Sequence, residues 1–327
     1  MRTALIILIR MIHVWTHTSI AWWIEKAFWR SAEVWWDTLQ IFAKSPRGWK
    51  IPSYDEEQYQ EWQQLRNQHE QVWWMLHSNY LANLAKPAGE VDREIDSIVD
   101  DFMHAHRLWY TTVNVHIGKM KDRSSLDEAM TNMTKNVEII LHRVREQWYD
   151  DVQFVFENTA GQGSEIGSKF SELSMLAWYL KDLPVGFTID TAHCQGWWID
   201  VWSRDEFVDQ FWTAIGIKKL VAIHLNDSKA ILGSKLDRHA SLWHWFIGWK
   251  RLAKVIQRAA VNDRHCYIET PVPERRADEI AKVRSIAEWD TDWIDQEHDA
   301  VYATQFLKKF EQQANEARTW TSSSLFW

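Results

Sequence analysis

Glycine is scarce in this chain: there are 11 in 327 residues, where average usage of about 7% would give roughly 23. Proline is scarce too, at six. No Pro/Gly-rich hinge divides the sequence, so one domain is expected rather than two joined by a linker. The two cysteines, Cys194 and Cys266, exclude a disulfide framework and a cysteine-based zinc site, and a reducing cytoplasm is the expected compartment. No apolar run reaches the roughly 20 residues of a membrane helix. The opening MRTALIILIR also lacks a small-residue cleavage site, so residues 1–10 read as an N-terminal extension with Met11 as an alternative start. Positive charge is not in excess either. The formal net charge of −8 argues against a broadly basic nucleic-acid binder, although it counts carboxylates that bound cations would neutralise.

What is present is a series of strand ends. Six short apolar runs each end in a residue able to bind a divalent cation, at intervals of about one β/α unit. They are VWWML before His77, TTVNV before His116, VQFVF before Glu157, GFTI before Asp190, LVAI before His224 and CYI before Glu269. Three further candidates follow closely: His193, three residues after Asp190, and the pair Asp237 and His239. One histidine on an apolar strand is more often a hydrogen-bonded core residue than a ligand. Nine such groups together are different, because each buried charge needs a partner and cations are the economical one. Mixed His/Asp/Glu ligands suit zinc or manganese in a hydrolytic site. Shared carboxylates suit a multinuclear centre, which favours attack on a phosphate ester.

Two more strands, Ile12–His17 and Thr38–Lys44, complete eight. Segments 55–71, 91–108 and the run opened by the capping box Ser125-Leu-Asp-Glu128 read as helices between them. Alternating strands and helices predict an α/β fold with a parallel sheet. Ligands on six strand ends meet at one point only if that sheet closes, so a TIM (β/α)8 barrel is expected, with a metal site at its C-terminal mouth. Residues 11–289 would form the barrel and 290–327 a C-terminal extension containing one helix near Ala300–Glu316.

Four segments carry a family resemblance: Glu157-Asn-Thr-Ala-Gly-Gln-Gly-Ser164, Ile189-Asp-Thr-Ala-His193, His224-Leu-Asn-Asp-Ser-Lys229 and Gly233-Ser-Lys-Leu-Asp-Arg-His-Ala-Ser-Leu242. The chain resembles the endonuclease IV family of zinc-dependent apurinic/apyrimidinic endonucleases from about Val14 to Thr270. The resemblance implies three zinc ions, with manganese an alternative in part. His77, His116 and Glu157 would hold the first. Glu157 would bridge to a second with Asp190, His224 and Glu269, and His193, Asp237 and His239 would hold the third. It further implies incision of double-stranded DNA on the 5′ side of an abasic site, leaving a 3′-hydroxyl, and trimming of blocked 3′ ends. Water beside Glu157 would attack phosphorus and Glu269 would orient or deprotonate it. Arg47 and Tyr80 would fill the gap left by the flipped nucleotide, and Lys229, Lys235 and Arg238 would contact phosphates. A monomer with no membrane association is expected.

The chain departs from that pattern in its 24 tryptophans. Trp15, Trp22, Trp23, Trp109, Trp197, Trp198, Trp243 and Trp245 stand where the family has glycine or a tight loop, whereas Trp49 matches a family tryptophan. A bulky residue at a position built for glycine is sterically costly. The pattern predicts a gene that writes glycine as UGA, translated with UGA read as tryptophan. His244 for glutamate and His116-Ile-Gly for His-Pro-Gly are smaller departures. Two other readings stand beside the nuclease: a metal-dependent sugar isomerase or epimerase on the same barrel, and an inactive abasic-DNA binder whose mouth tryptophan blocks.

Overall fold

The computed structural model describes residues 12–18, 38–50, 53–67, 73–120, 125–197, 199 and 213–288. Ten strands lie in these stretches: β1 Val14–Thr18, β2 Thr38–Phe42, β3 Trp73–His77, β4 Thr112–His116, β5 Gln153–Glu157, β6 Val185–Asp190, β7 Leu220–His224, β8 Asp227–Ser228, β9 His239–Ala240 and β10 His265–Ile268. Eight close into a barrel in the order β1-β10-β7-β6-β5-β4-β3-β2, and β8 pairs with β9 outside it. Every barrel pairing is parallel. The apolar strand sequences follow from this arrangement, because a barrel strand is covered on both faces.

Register decides where the polar ends meet. His116 pairs with Glu157 across β4 and β5, Asp190 with His224 across β6 and β7, and His17 with Gln40 across β1 and β2. Candidate ligands therefore emerge side by side at one end. A slip of one residue would turn them to the other face.

Helices α1 Glu56–Asn67, α2 Asp92–Arg107, α3 Leu126–Glu146 and α4 Phe170–Tyr179 follow β2, β3, β4 and β5, α5 Thr191–Trp197 follows β6, α6 Trp249–Val261 precedes β10, and α7 Arg276–Glu288 follows it. In α2, Ile95, Ile98, Val99, Phe102 and Ala105 are buried, the spacing of one helical face. Trp62 of α1 packs edge-on against Trp74 of β3, and its indole N–H donates to the Leu108 carbonyl at 2.9 Å. The expected helix start at Ser125 is present: its hydroxyl accepts from the Glu128 amide at 3.1 Å, satisfying one orphan donor. Asp55 and Gln58 cap α1 reciprocally: the Gln58 amide donates to Asp55 Oδ1 at 2.9 Å and the Asp55 amide to Gln58 Oε1 at 3.0 Å.

Three strand limits differ from expectation. β1 starts at Val14 rather than Ile12 and ends at Thr18 rather than His17. β2 ends at Phe42 rather than Lys44, because Lys44 turns into a buried ion pair with Asp101 at 2.9 Å instead of continuing the ladder. The expected helix near residues 300–316 lies outside the described residues, as do residues 1–11.

His265 opens β10 and is buried beside His13 and Arg264. Burial first, and then His13 and Arg264, hold it down to about 3. In the unfolded chain it titrates near 6.5. The unfolded state therefore takes up a proton that the folded state refuses, and stability is complete above about 6.5 and lost as pH falls toward 3. His265→Leu is expected to flatten this acid limb by up to about 1.4 kcal/mol per pH unit, read from urea midpoints at pH 7 and pH 5; an unaltered slope would contradict the assignment.

Candidate metal centre

Three histidines show the logic of the site through their outer nitrogens. His77 Nδ1 lies 2.6 Å from the Ser78 carbonyl and His193 Nδ1 lies 2.8 Å from the Asn158 carbonyl. A carbonyl only accepts, so both Nδ1 atoms carry the hydrogen and each Nε2 presents a lone pair. His224 is reversed. Gln40 donates its amide N–H to Glu269 Oε1 at 2.6 Å, which leaves the Gln40 carbonyl, 2.9 Å away, as acceptor for His224 Nε2–H. The His224 Nδ1 lone pair then faces the carboxylates.

Those inner nitrogens converge on carboxylate oxygens. His77 Nε2 is 3.2 Å from Glu157 Oε2, and His116 Nε2 is 3.5 Å from the same atom. His224 Nδ1 is 2.9 Å from Glu157 Oε1, 3.3 Å from Glu269 Oε2 and 4.0 Å from Asp190 Oδ2. His193 Nε2 is 3.4 Å from Asp237, and His239 Nε2 lies 3.1 Å from Asp237 and 3.4 Å from Asp190. His239 Nε2 makes no hydrogen bond in spite of these neighbours. A lone pair aimed at a carboxylate is repulsive unless a proton or a metal ion lies between them, so the residues fit metal binding.

Donor atoms cluster within 4.8 Å in overlapping groups: His77, His116 and Glu157; Glu157, Asp190, His224 and Glu269; His77, His224 and Glu269; and Asp190, His193 and His239. Glu157 joins the first two groups. Asp237 flanks the last group from the rim. All nine expected residues are thus brought together. His77, Glu157, Asp190, His193 and His224 form a buried floor, and His116, Asp237, His239 and Glu269 form a partly open rim.

The charges follow. Burial pushes Glu157 up, but His224 and His116 outweigh it and hold the carboxyl well below the usual range. Burial lowers His224 and His239, yet carboxylates outweigh it: Glu157 and Glu269 lift His224 to about 9, and Asp190 and Asp237 lift His239 to about 10. His116, under the same opposition, is held down to about 4, with burial the larger effect. Where metal is not bound, protons balance the site.

Several positioning groups carry little sequence signal of their role. Asn114 donates to Glu157 Oε2 at 2.6 Å, Asn226 donates to Asp190 Oδ2 at 2.7 Å, and Gln40 links Glu269, His224 and His17. Asn114 lies two residues before His116 and so shares its face of the strand, a signal available in the sequence. A second buried network braces the mouth: Lys44 pairs with Asp101, and Asp101 accepts from the Ser78 hydroxyl at 2.7 Å. It ties α2 to the loops after β2 and β3.

Those two loops carry Arg47 and Tyr80. Arg47 is exposed in the turn closed by Gly48 N–H to the Ser45 carbonyl, and the Tyr80 amide donates to the Pro46 carbonyl at 2.9 Å. The half-exposed Tyr80 ring stands edge-on to His77 and His116, at 5.5 and 5.1 Å between centroids. Lys229, Lys235 and Arg238 are exposed on the segment leading to β9.

Comparison with known proteins bears on the fold and the family. Residues 31–296 match a family described as xylose isomerase-like TIM barrel. A probable endonuclease 4 from Halothermothrix orenii is 30% identical over 78% of this chain and 92% of that protein. The crystal structure of endonuclease IV from Thermus thermophilus superposes with a TM-score of 0.72 at 28% identity, covering 84% of this chain and 99% of that one. A D-tagatose 3-epimerase-like protein shares the fold at 18% identity, with a TM-score of 0.63 over 84% of this chain and 98% of that one.

Zinc binding must displace the protons held by the carboxylate-flanked histidines. Adding zinc to chelator-treated protein in weak buffer at pH 7 is expected to acidify the solution as it binds; binding without proton release would contradict the electrostatics above. In the brace, Asp101→Ala leaves buried Lys44 with only the Ser97 carbonyl and the more distant Asp100 carboxylate, 3.8 Å away, and is expected to cost about 3 kcal/mol. Denaturant titration is expected to show a much smaller loss for Lys44→Met with Asp101→Leu, and equal losses would count against the pairing.

Proposed function

The chain belongs to the endonuclease IV family of xylose isomerase-like TIM barrels, and we propose that it is a DNA-repair endonuclease that hydrolyses the phosphodiester 5′ to abasic sites. It also trims blocked 3′ ends and leaves a 3′-hydroxyl. The observation that carries this reading is the overlap of the donor groups through Glu157 and Asp190, which suits several neighbouring cations better than one. Zinc is the proposed metal, three ions in all, with manganese able to replace part of the set; His77, His116 and Glu157 hold one, Glu157, Asp190, His224 and Glu269 the next, and His193, Asp237 and His239 the third. Bound there, zinc supplies Lewis acidity toward phosphate oxygens and makes nearby water more acidic.

The chain's own residues do the rest. Glu269 stands on the rim with Oε1 held by the Gln40 amide. Oε2 is left to orient the attacking water and take its proton. Asn114 and Asn226 keep the Glu157 and Asp190 carboxylates aimed inward. An abasic nucleotide lacks the base stacking that resists flipping, and Tyr80 and Arg47 fill the gap it leaves. Lys229, Lys235 and Arg238 neutralise backbone phosphates, so affinity falls with salt.

The Asp237 and His239 pair favours a third cation, and with it the nuclease over a sugar isomerase or epimerase. An abasic-DNA binder without activity predicts binding and no incision. A duplex with one abasic site, labelled at its 5′ end and mixed with zinc-loaded protein, is expected to yield a single shortened strand that a polymerase extends. Glu269→Gln is expected to slow incision at least about 100-fold while retaining DNA binding. Ketose epimerisation without incision would replace the reading with its rival, and tight binding without incision would select the inactive binder.

A further inference from the structure

Among the described residues, five other than glycine have positive φ: Trp109 at 58°, Trp148 at 63°, Lys235 at 55°, Trp243 at 84° and Asp263 at 52°. Tryptophan makes up 24 of 327 residues but three of these five. A bulky side chain in the left-handed region is a genuine outlier, because its Cβ crowds the following carbonyl.

Two of the three stand in the same helix-ending motif. After α2, Trp109 N–H bonds to the His106 carbonyl at 3.1 Å and Tyr110 N–H to the Ala105 carbonyl at 2.8 Å. After α3, Trp148 N–H bonds to Arg145 at 3.1 Å and Tyr149 N–H to Val144 at 3.0 Å. This paired hydrogen bonding is the Schellman motif, whose left-handed residue is usually glycine. α6 ends in the same way at Asp263, with Arg264 N–H to the Ala259 carbonyl at 2.9 Å. Aspartate is one of the few side chains that visit this region readily, so the third motif obeys the rule that the first two break.

The indole rings offer no compensation at the helix ends. Trp148 is 82% exposed and Trp109 43%. Trp243 lies in the loop that Asp227 pins, where the Asp227 carboxylate accepts from the amides of Trp245, Ile247 and Gly248. Its indole is buried, with the Lys282 ammonium 5.0 Å from the ring centroid, so at this position only the φ of 84° points to glycine. By contrast, Trp62 and Trp74 are fully buried in the core without positive φ.

We infer that residues 109, 148 and 243 are glycine in the protein its own cell makes, encoded by UGA codons that are read elsewhere as tryptophan. Position 148 joins the set on backbone geometry alone. Trp197 and Trp245 have no positive φ, and Trp15 lies on the extended β1, so conformation does not assign them. Trp22, Trp23 and Trp198 lie outside the described residues. This inference is independent of the proposed activity.

Peptide mass spectrometry of the protein isolated from its own cells tests it. Tryptic peptides 108–119, 146–169 and 239–250 are expected to be lighter at positions 109, 148 and 243 by the difference between tryptophan and glycine, with tryptophan retained at 62 in peptide 51–66. The gene is expected to carry UGA at 109, 148 and 243 and UGG at 62 and 74. Tryptophan in the first three peptides, or UGG at their codons, overturns the inference. Stability offers a separate reading on the chain as written. Trp148→Gly is expected to raise the unfolding midpoint by about 2 °C, against the usual loss on truncating a large side chain; a fall would contradict the backbone argument.

Discussion

The organisation of this molecule depends on one electrostatic constraint: histidine lone pairs and carboxylate oxygens are held face to face at the bottom of a barrel mouth. Glu157 receives His77, His116 and His224 from three other strands. Such an arrangement is repulsive when bare and strongly attractive around cations. Closed parallel topology lets distant segments supply the groups, and register brings them to a common level. Asn114, Asn226 and Gln40 then fix which oxygen or nitrogen points inward. The Lys44–Asp101–Ser78 brace extends the same ordering to the loops that carry Arg47 and Tyr80.

Much of this was legible in the sequence for a specific reason. A barrel strand is apolar along its length, so a histidine or carboxylate at its end stands out, and six such ends in succession imply a common meeting point. Asn114 and Gln40 were harder to assign because a single amide inside an apolar strand has many structural uses. Their role appears only when the partner strand's register is known. Lys44 reads as strand in the sequence because local propensity says nothing of Asp101, nearly sixty residues away in the chain, which draws it inward. Asp55 and Gln58 have the spacing of a capping box, a signal the sequence itself carries.

The tryptophans separate two kinds of sequence information. Those in the core, such as Trp62 and Trp74, are explained by packing and by an indole hydrogen bond. Those after α2 and α3 are explained by nothing the side chain does, while their backbones have the conformation and hydrogen bonds of a glycine stop. Trp109 stands out in the sequence because it falls where the resembling family has glycine. Trp148 became visible only through its φ. Scarce glycine and abundant tryptophan are thus two views of one substitution pattern, and the fold records which residue each turn requires.

The most direct test of the central claim is the number and position of metal ions in the mouth, measured by X-ray diffraction from zinc-loaded crystals with anomalous scattering at the zinc edge. The account predicts three peaks, one among His77, His116 and Glu157, one among Glu157, Asp190, His224 and Glu269, and one among His193, Asp237 and His239. A mouth without peaks, its histidines and carboxylates joined directly by protons, would contradict it.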